Sequence, residues 1–179
     1  KNSPQAMPLA AALLKAQLDS AAAINDRLEV SLMDFYAVDT AESISEKILE
    51  ESPSLIGFSV YLWNRQLTEQ VCIKIKTRFP DIVLFAGGAE ATALPENLLN
   101  SAPFDFVIKG EGELALSETM KRLLENKSYS DIDGIYIRNG IHNSGMNQWP
   151  VPDLDAIPSP FLTEVLDVKK YPGVLWELS

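Results

Sequence analysis

Four short segments of this 179-residue chain place small or polar residues directly after apolar runs: Asp34-Phe-Tyr, Ser59-Val-Tyr-Leu-Trp-Asn, Gly87-Gly-Ala-Glu and Gly110-Glu-Gly-Glu. Residues of these types suit binding better than bond-breaking. Glycine lets a ligand reach the backbone because no Cβ stands in the way. The Ser59 hydroxyl can donate and accept. Tyr61 and Trp63 offer flat apolar faces that could pack on a planar ligand or on a neighbouring domain. Taken singly, each glycine is satisfied by a tight strand-to-helix turn, and Ser59 by a loop hydrogen bond. Glu111 and Glu113 could pass for an acid/base pair, but alternate residues of a turn need not face each other. Glu113 also stands where a carboxylate complements a helix N-terminus. Structural or hydrogen-bonding roles are therefore expected of both, and no catalytic residue is assigned.

The remaining reactive side chains are few. Cys72 is the single cysteine, so neither an intrachain disulfide nor a cysteine-built cluster can form within this sequence. Its setting, Gln-Val-Cys-Ile-Lys, reads as a helix core position with a buried, inert thiol, consistent with a reducing cytoplasmic compartment. His142, the single histidine, falls in a predicted hairpin and reads as an exposed hairpin residue, not a metal ligand. A formal net charge of −10 argues against nucleic acid, whose phosphates demand a basic surface. No apolar run approaches the length of a membrane span.

Short strands alternating with helices must position these loops. Pro8 opens an alanine- and leucine-rich helix, and Leu28–Phe35 reads as a strand. Thr40 caps a helix to about Glu51. The apolar run Ser54–Tyr61 reads as a strand buried on both faces. An amphipathic helix spans about Arg65 to Arg78, with Leu67, Val71, Ile75 and Phe79 at four-residue steps. Ile82–Ala86 is the next strand, then a short helix from Pro95 to Asn100, the strand Phe104–Lys109, and a helix from Glu113 to Glu125. This alternation predicts an α/β fold, flavodoxin-like (Rossmann-like), with a parallel sheet and helices on both faces. Ligands of such sheets bind beyond the carboxyl ends of the strands.

A sheet of this kind ordinarily opens with a central strand before its first helix. That strand is expected upstream of Lys1, the alternative being that another segment takes its place. Residues 1–128 make up the α/β domain on this reading. Residues 129–148 form a β-hairpin extension turning at Asn139-Gly140. Residues 149–179, with prolines at 150, 152, 158 and 160, read as a linker followed by the start of a further domain.

Ser59, Tyr61 and the Gly87-Gly88 pair resemble the Ser-x-Leu and Gly-Gly elements of the cobalamin-binding domain, with Tyr61 in the leucine place and one helix and one strand between. The family's Asp-x-His-x-x-Gly element is absent. That departure, together with Pro8-Leu-Ala-Ala-Ala-Leu-Leu, Ala86-Gly-Gly-Ala-Glu, Val107-Ile-Lys-Gly-Glu-Gly-Glu, Leu154-Asp-Ala-Ile-Pro-Ser-Pro and Trp176-Glu-Leu-Ser, resembles the N-terminal domain of cobalamin-dependent radical SAM enzymes. The resemblance implies a cobalamin-binding module contacting its cofactor through Ser59, Tyr61, Gly87, Gly88, Gly110, Glu111 and Gly112. The nucleotide base would be off cobalt, with no histidine in its place. It further implies a C-terminal radical SAM domain in the same polypeptide, which would hold the [4Fe-4S] cluster and S-adenosylmethionine, and a parent that is a methyltransferase or related radical enzyme.

Two other classes share the expected fold. A docking domain with an empty pocket is the alternative, since a fold outlives the loss of its ligand. A phosphorylation receiver would need an aspartate at the end of the middle strand, where this chain runs Ser59 to Asn64.

Overall fold

In the computed structural model of the chain, residues 7–36, 38–138 and 156–170 are described. Helix α1 (Leu9–Ser20) follows Pro8, whose carbonyl accepts the first helical hydrogen bond, from Ala12, at 2.9 Å. Ala12 and Ala16 recur one turn apart and are fully buried, so α1 can approach its neighbour closely. Helix α2 (Ala41–Glu50) is capped reciprocally: the Ser43 N–H donates to the Thr40 hydroxyl, and the Thr40 N–H to the Ser43 hydroxyl, both at 3.2 Å. Such a cap stabilises a helix by about 1 kcal/mol.

Strand β1 (Leu55–Ser59), helix α3 (Arg65–Arg78), strand β2 (Val83–Gly87), helices α4 (Ala89–Ala93) and α5 (Pro95–Ser101), strand β3 (Phe106–Ile108), helix α6 (Glu113–Leu124) and strand β4 (Ile135–Ile137) follow in turn. The sheet runs β1-β2-β3-β4, parallel across the first three strands and antiparallel at β4.

Side-chain alternation along the strands builds two cores. Ile56, Leu84, Ala86, Val107 and Tyr136 point to one face, where α2, α3 and α5 bury Ile44, Ile48, Val71, Cys72, Ile75, Leu98 and Leu99 against them. Phe85, Phe106, Ile108 and Ile135 point to the other, beneath Leu18 of α1 and Ala115, Leu116 and Met120 of α6. Period-2 strands with both faces apolar can be buried only this way. Burial of each large side chain contributes about 1.5–3 kcal/mol. On the second face Phe85 stacks on Phe106, centroids 5.1 Å apart and planes within 2°, and Tyr129 meets Phe106 edge-on.

Several expectations are corrected. Leu28–Phe35 forms no strand; it runs outside helix and ladder with Leu28 and Val30 against one core and Phe35 against the other. A strand needs a ladder partner for its N–H and C=O groups, and none of the described strands pairs with it. Nor does any described strand pair with the far side of β1. The Val83 N–H donates to the Ser54 carbonyl and the Val60 N–H to the Gly87 carbonyl, so Leu55, Gly57 and Ser59 turn their backbone groups away from β2. Phe79, predicted as part of the α3 stripe, caps the helix and is half exposed. Strand ends shift by one or two residues, and α4 was not foreseen because it is a single turn. The predicted hairpin supplies β4, which pairs with β3; Asn139, Gly140 and His142 lie outside the described residues. So do Pro150, Pro152 and the Tyr171–Ser179 run. From Ala156 to Lys170 the predicted extended linker is turn-rich instead, with Pro160 and Leu166 buried and a 3-10 turn at Val168–Lys170.

Candidate functional site

Parallel pairing brings the carboxyl ends of β1, β2 and β3 to one edge, and with them every residue singled out for binding. Ser59 and Gly87 are direct partners in the β1–β2 register. The turns beyond them are stitched together. The Val60 N–H donates to the Gly87 carbonyl at 2.8 Å, and the Glu90 N–H to the Val60 carbonyl at 3.1 Å. The Gly110 N–H donates to the Thr92 hydroxyl of α4 at 3.1 Å, tying the third loop to the second.

The glycines are not equivalent. Gly88 has φ +95°, and a Cβ there would fall 2.9 Å from the Val60 carbonyl oxygen, so its missing side chain serves the chain's own packing. Gly110 also has positive φ, +81°. Gly112 packs under α1, where a Cβ would sit 3.2 Å from Leu14 Cδ2. Gly87 differs from all of these: a Cβ there meets nothing within 4 Å. By strand alternation that open space belongs to the α1/α6 face. On the same face of β1, Gly57 and Ser59 are exposed. Among the described residues the helices thus cover β2 and β3 and leave Gly57 and Ser59 at the end of β1 exposed.

Tyr61 is half-buried beside this edge, its N–H donating to Asn64 Oδ1 at 2.8 Å. Asn64 Nδ2 in turn donates to the Ser59 carbonyl at 2.9 Å, so one side chain fixes the whole turn. The Tyr61 ring stacks on Trp63 with centroids 4.6 Å apart and planes within 7°, and Trp63 is 61% exposed. Glu111 is exposed, whereas Glu113 is only 8% exposed and its Oε2 has no hydrogen-bond partner. The two carboxylates therefore occupy different environments and make no acid/base pair.

Arg65 ties together helices packed on the other face of the sheet. Its guanidinium donates to Glu69 at 2.9 Å, to Glu90 at 3.0 Å, to Ser101 at 3.4 Å and to Asn97, joining α3 to α4 and α5. Sequence reasoning passed over both Asn64 and Arg65. The signal for Asn64 was its place just ahead of a helix, where asparagine commonly bonds local backbone; nothing marked Arg65. Cys72 is fully buried as expected, and burial pushes its thiol pKa well up, leaving it inert. A shallow hollow lined by Lys76, Asp105 and Arg138 lies at the amino ends of the strands and is no part of this edge. Among the described residues no group of His, Cys, Asp and Glu could hold a metal ion. No described helix is long and apolar enough to cross a membrane.

The fold and site define a Rossmann-like α/β ligand-binding domain with its loops gathered on one sheet edge. The family model of the B12 binding domain matches residues 4–119, and the chain belongs to that family. It is 29% identical over 168 residues to the cobalamin-dependent radical SAM methyltransferase TokK of Streptomyces tokunonensis, covering 90% of this chain and 24% of that protein. It is 28% identical over 135 residues to 2-(S-pantetheinyl)-carbapenam-3-carboxylate methyltransferase of Streptantibioticus cattleyicolor, covering 74% of this chain and 20% of that protein. The chain thus spans about a quarter or less of the length of these relatives. The radical S-adenosylmethionine methyltransferase TsrM from Kitasatospora setae, with cobalamin and a [4Fe-4S] cluster bound, shares the fold with a TM-score of 0.60 at 20% identity, over 76% of this chain and 27% of that one.

Proposed function

We propose that this chain binds cobalamin at the carboxyl edge of its sheet and presents it to a radical SAM domain of the same polypeptide. In this reading the nucleotide tail is detached from cobalt and lies on the α1/α6 side, between Ser59 and Gly87. Tyr61, Gly88, Gly110, Glu111 and Gly112 shape the loops around it, and no histidine reaches cobalt. The observation that carries the reading is Gly87: its missing Cβ opens onto free space beside an exposed Ser59, in a chain of the B12 binding domain family. The bound cofactor would supply the cobalt chemistry; this chain's residues would bind it, orient it and shield its tail.

The rest of the polypeptide would hold the [4Fe-4S] cluster and S-adenosylmethionine, making the parent a methyltransferase or related radical enzyme. The support is the partial coverage of TokK and the carbapenam methyltransferase. A buried, protonated Cys72 suits a cytoplasmic setting. Titrating hydroxocobalamin into the full-length polypeptide tests the proposal. The expected result is saturable uptake with base-off absorbance and, after reduction to cobalt(II), an electron paramagnetic resonance spectrum free of imidazole nitrogen splitting. No saturable uptake would leave a docking module, and nitrogen splitting from a protein ligand would overturn the histidine-free site.

A further inference from the structure

Every backbone polar group from the Ser59 carbonyl to the Tyr61 carbonyl is engaged. The Ser59 carbonyl accepts from Asn64 Nδ2 at 2.9 Å, and the Tyr61 N–H donates to Asn64 Oδ1 at 2.8 Å. Between them, the Val60 N–H donates to the Gly87 carbonyl at 2.8 Å, and the Val60 carbonyl accepts from the Glu90 N–H at 3.1 Å. The Tyr61 carbonyl accepts from the N–H groups of Asn64 and Arg65, at 3.1 and 3.0 Å. The planar Ser59–Val60 peptide is thus held at both ends, by Asn64 on one side and by Gly87 on the other. Its rotation would break one bond or the other, so the placement of Ser59 against Gly87 is set.

Asn64 does this while leaving its own helix uncapped. It is the residue just ahead of α3, where an asparagine side chain ordinarily accepts from a backbone N–H of the first turn. No such bond forms here. The Asn64 carbonyl accepts from the N–H and the hydroxyl of Thr68, at 2.9 and 3.0 Å, and its side-chain amide turns back onto the loop. A residue serving only the stability of α3 would cap it. The loop that receives the amide carries the exposed Ser59 and the Tyr61–Trp63 stack.

We infer that Asn64 is a positioning residue for the cobalamin site, setting the Ser59–Trp63 turn in its binding geometry before any ligand arrives. Ser59, Gly87 and the Tyr61–Trp63 stack are then presented as one preformed surface. The inference rests on the proposed cobalamin function and adds how the site is made ready. A loop that must be ordered on binding weakens affinity, and a turn already ordered avoids that loss. Asn64 acts through the turn and need not touch the ligand.

Asn64→Asp separates positioning from folding. The aspartate keeps an acceptor for the Tyr61 N–H and brings a favourable charge to the head of α3, but sets an oxygen against the Ser59 carbonyl. Its urea midpoint should stay close to that of the unmodified protein. All measurements use the full-length polypeptide. Without ligand, the near-ultraviolet circular dichroism of the Tyr61–Trp63 stack, taken as the difference from Trp63→Phe, should collapse in Asn64→Asp. Hydroxocobalamin titrations followed by corrin absorbance should show about tenfold weaker binding, the effect of one lost hydrogen bond. Ser59→Ala should weaken binding on its own, yet add less than about twofold when combined with Asn64→Asp, because the two act as one unit. Fully additive losses, or unchanged binding in Asn64→Asp, would overturn the inference. An unchanged dichroism difference would show that the turn holds without the amide, and overturn it as well. So would a loss seen only in Asn64→Ala and matched by a lower urea midpoint. If the unmodified protein took up no hydroxocobalamin, the proposed function itself would fall, and the ligand-free dichroism would still report whether Asn64 sets the turn.

Discussion

Gly88 lies against Val60: a Cβ on the glycine would stand 2.9 Å from the Val60 carbonyl oxygen and 3.0 Å from its nitrogen. The two residues lock the end of β1 to the start of α4, and the positive φ of Gly88 is part of that lock. Gly88→Ala should therefore destabilise the domain by about 1–3 kcal/mol, from strain and close contact together. Urea unfolding measures it, as a lower midpoint at unchanged slope.

Gly87 behaves in the opposite way. With nothing near its absent Cβ, Gly87→Val should leave stability within about 0.5 kcal/mol, as for surface substitutions generally. Hydroxocobalamin uptake should nevertheless fall sharply, because the branched side chain fills that open space. His142→Ala should leave uptake unchanged. Side-by-side titrations of both variants decide the matter, and a binding loss confined to His142→Ala would relocate the site.

Gly57 supports the second core from beneath. A Cβ there would fall 2.2 Å from Phe85 Cζ, and that ring is held by its stack on Phe106. Gly57→Ala should cost about 1–3 kcal/mol, as overpacking does. Phe85→Leu in the same chain should relieve part of the clash, so the two substitutions should be non-additive in a double-mutant cycle.

The Arg65 hub predicts an acid-sensitive term. Burial disfavours the Glu69 carboxylate, but the Ser101 hydroxyl and the Arg65 guanidinium outweigh it and hold its pKa below the ordinary range. A depressed carboxyl contributes stability that is full above the unfolded value, about 4.3, and is lost as pH falls through the folded one. Arg65→Met should lower stability by about 1–3 kcal/mol at neutral pH through its lost charged hydrogen bonds. It should also flatten the decline below about pH 4. Thermal melts of both proteins from pH 7 to pH 3 would show a constant gap if Glu69 were unimportant.

The βα alternation was legible because strands buried on both faces leave unbroken apolar runs. Val83–Gly87 and Phe106–Ile108 follow that pattern, while Leu55–Ser59 is exposed at Gly57 and Ser59. Leu28–Phe35, with Leu28, Val30 and Leu32 alternating with polar neighbours, misled, since a side-chain pattern cannot supply the partner that a ladder requires. Among the site residues, Ser59 and Gly87 were readable from type and position. Sequence could not tell that Gly87 opens outward while Gly88 presses on Val60, because the difference depends on the left-handed backbone turn by which Gly88 leaves β2. The burial of Glu113 was hidden for a related reason: a glutamate opening a helix reads as solvated until α1 is packed over it.

The backbone groups of Leu55, Gly57 and Ser59 that turn away from β2 also form a template on which a further strand can pair. Asn64, by occupying the Ser59 carbonyl, already fills its last position. Amide hydrogen exchange in the full-length polypeptide reads the use of that template directly: slow exchange at Leu55, Gly57 and Ser59 means that a strand of the same polypeptide lies there, and fast exchange means that the edge faces water.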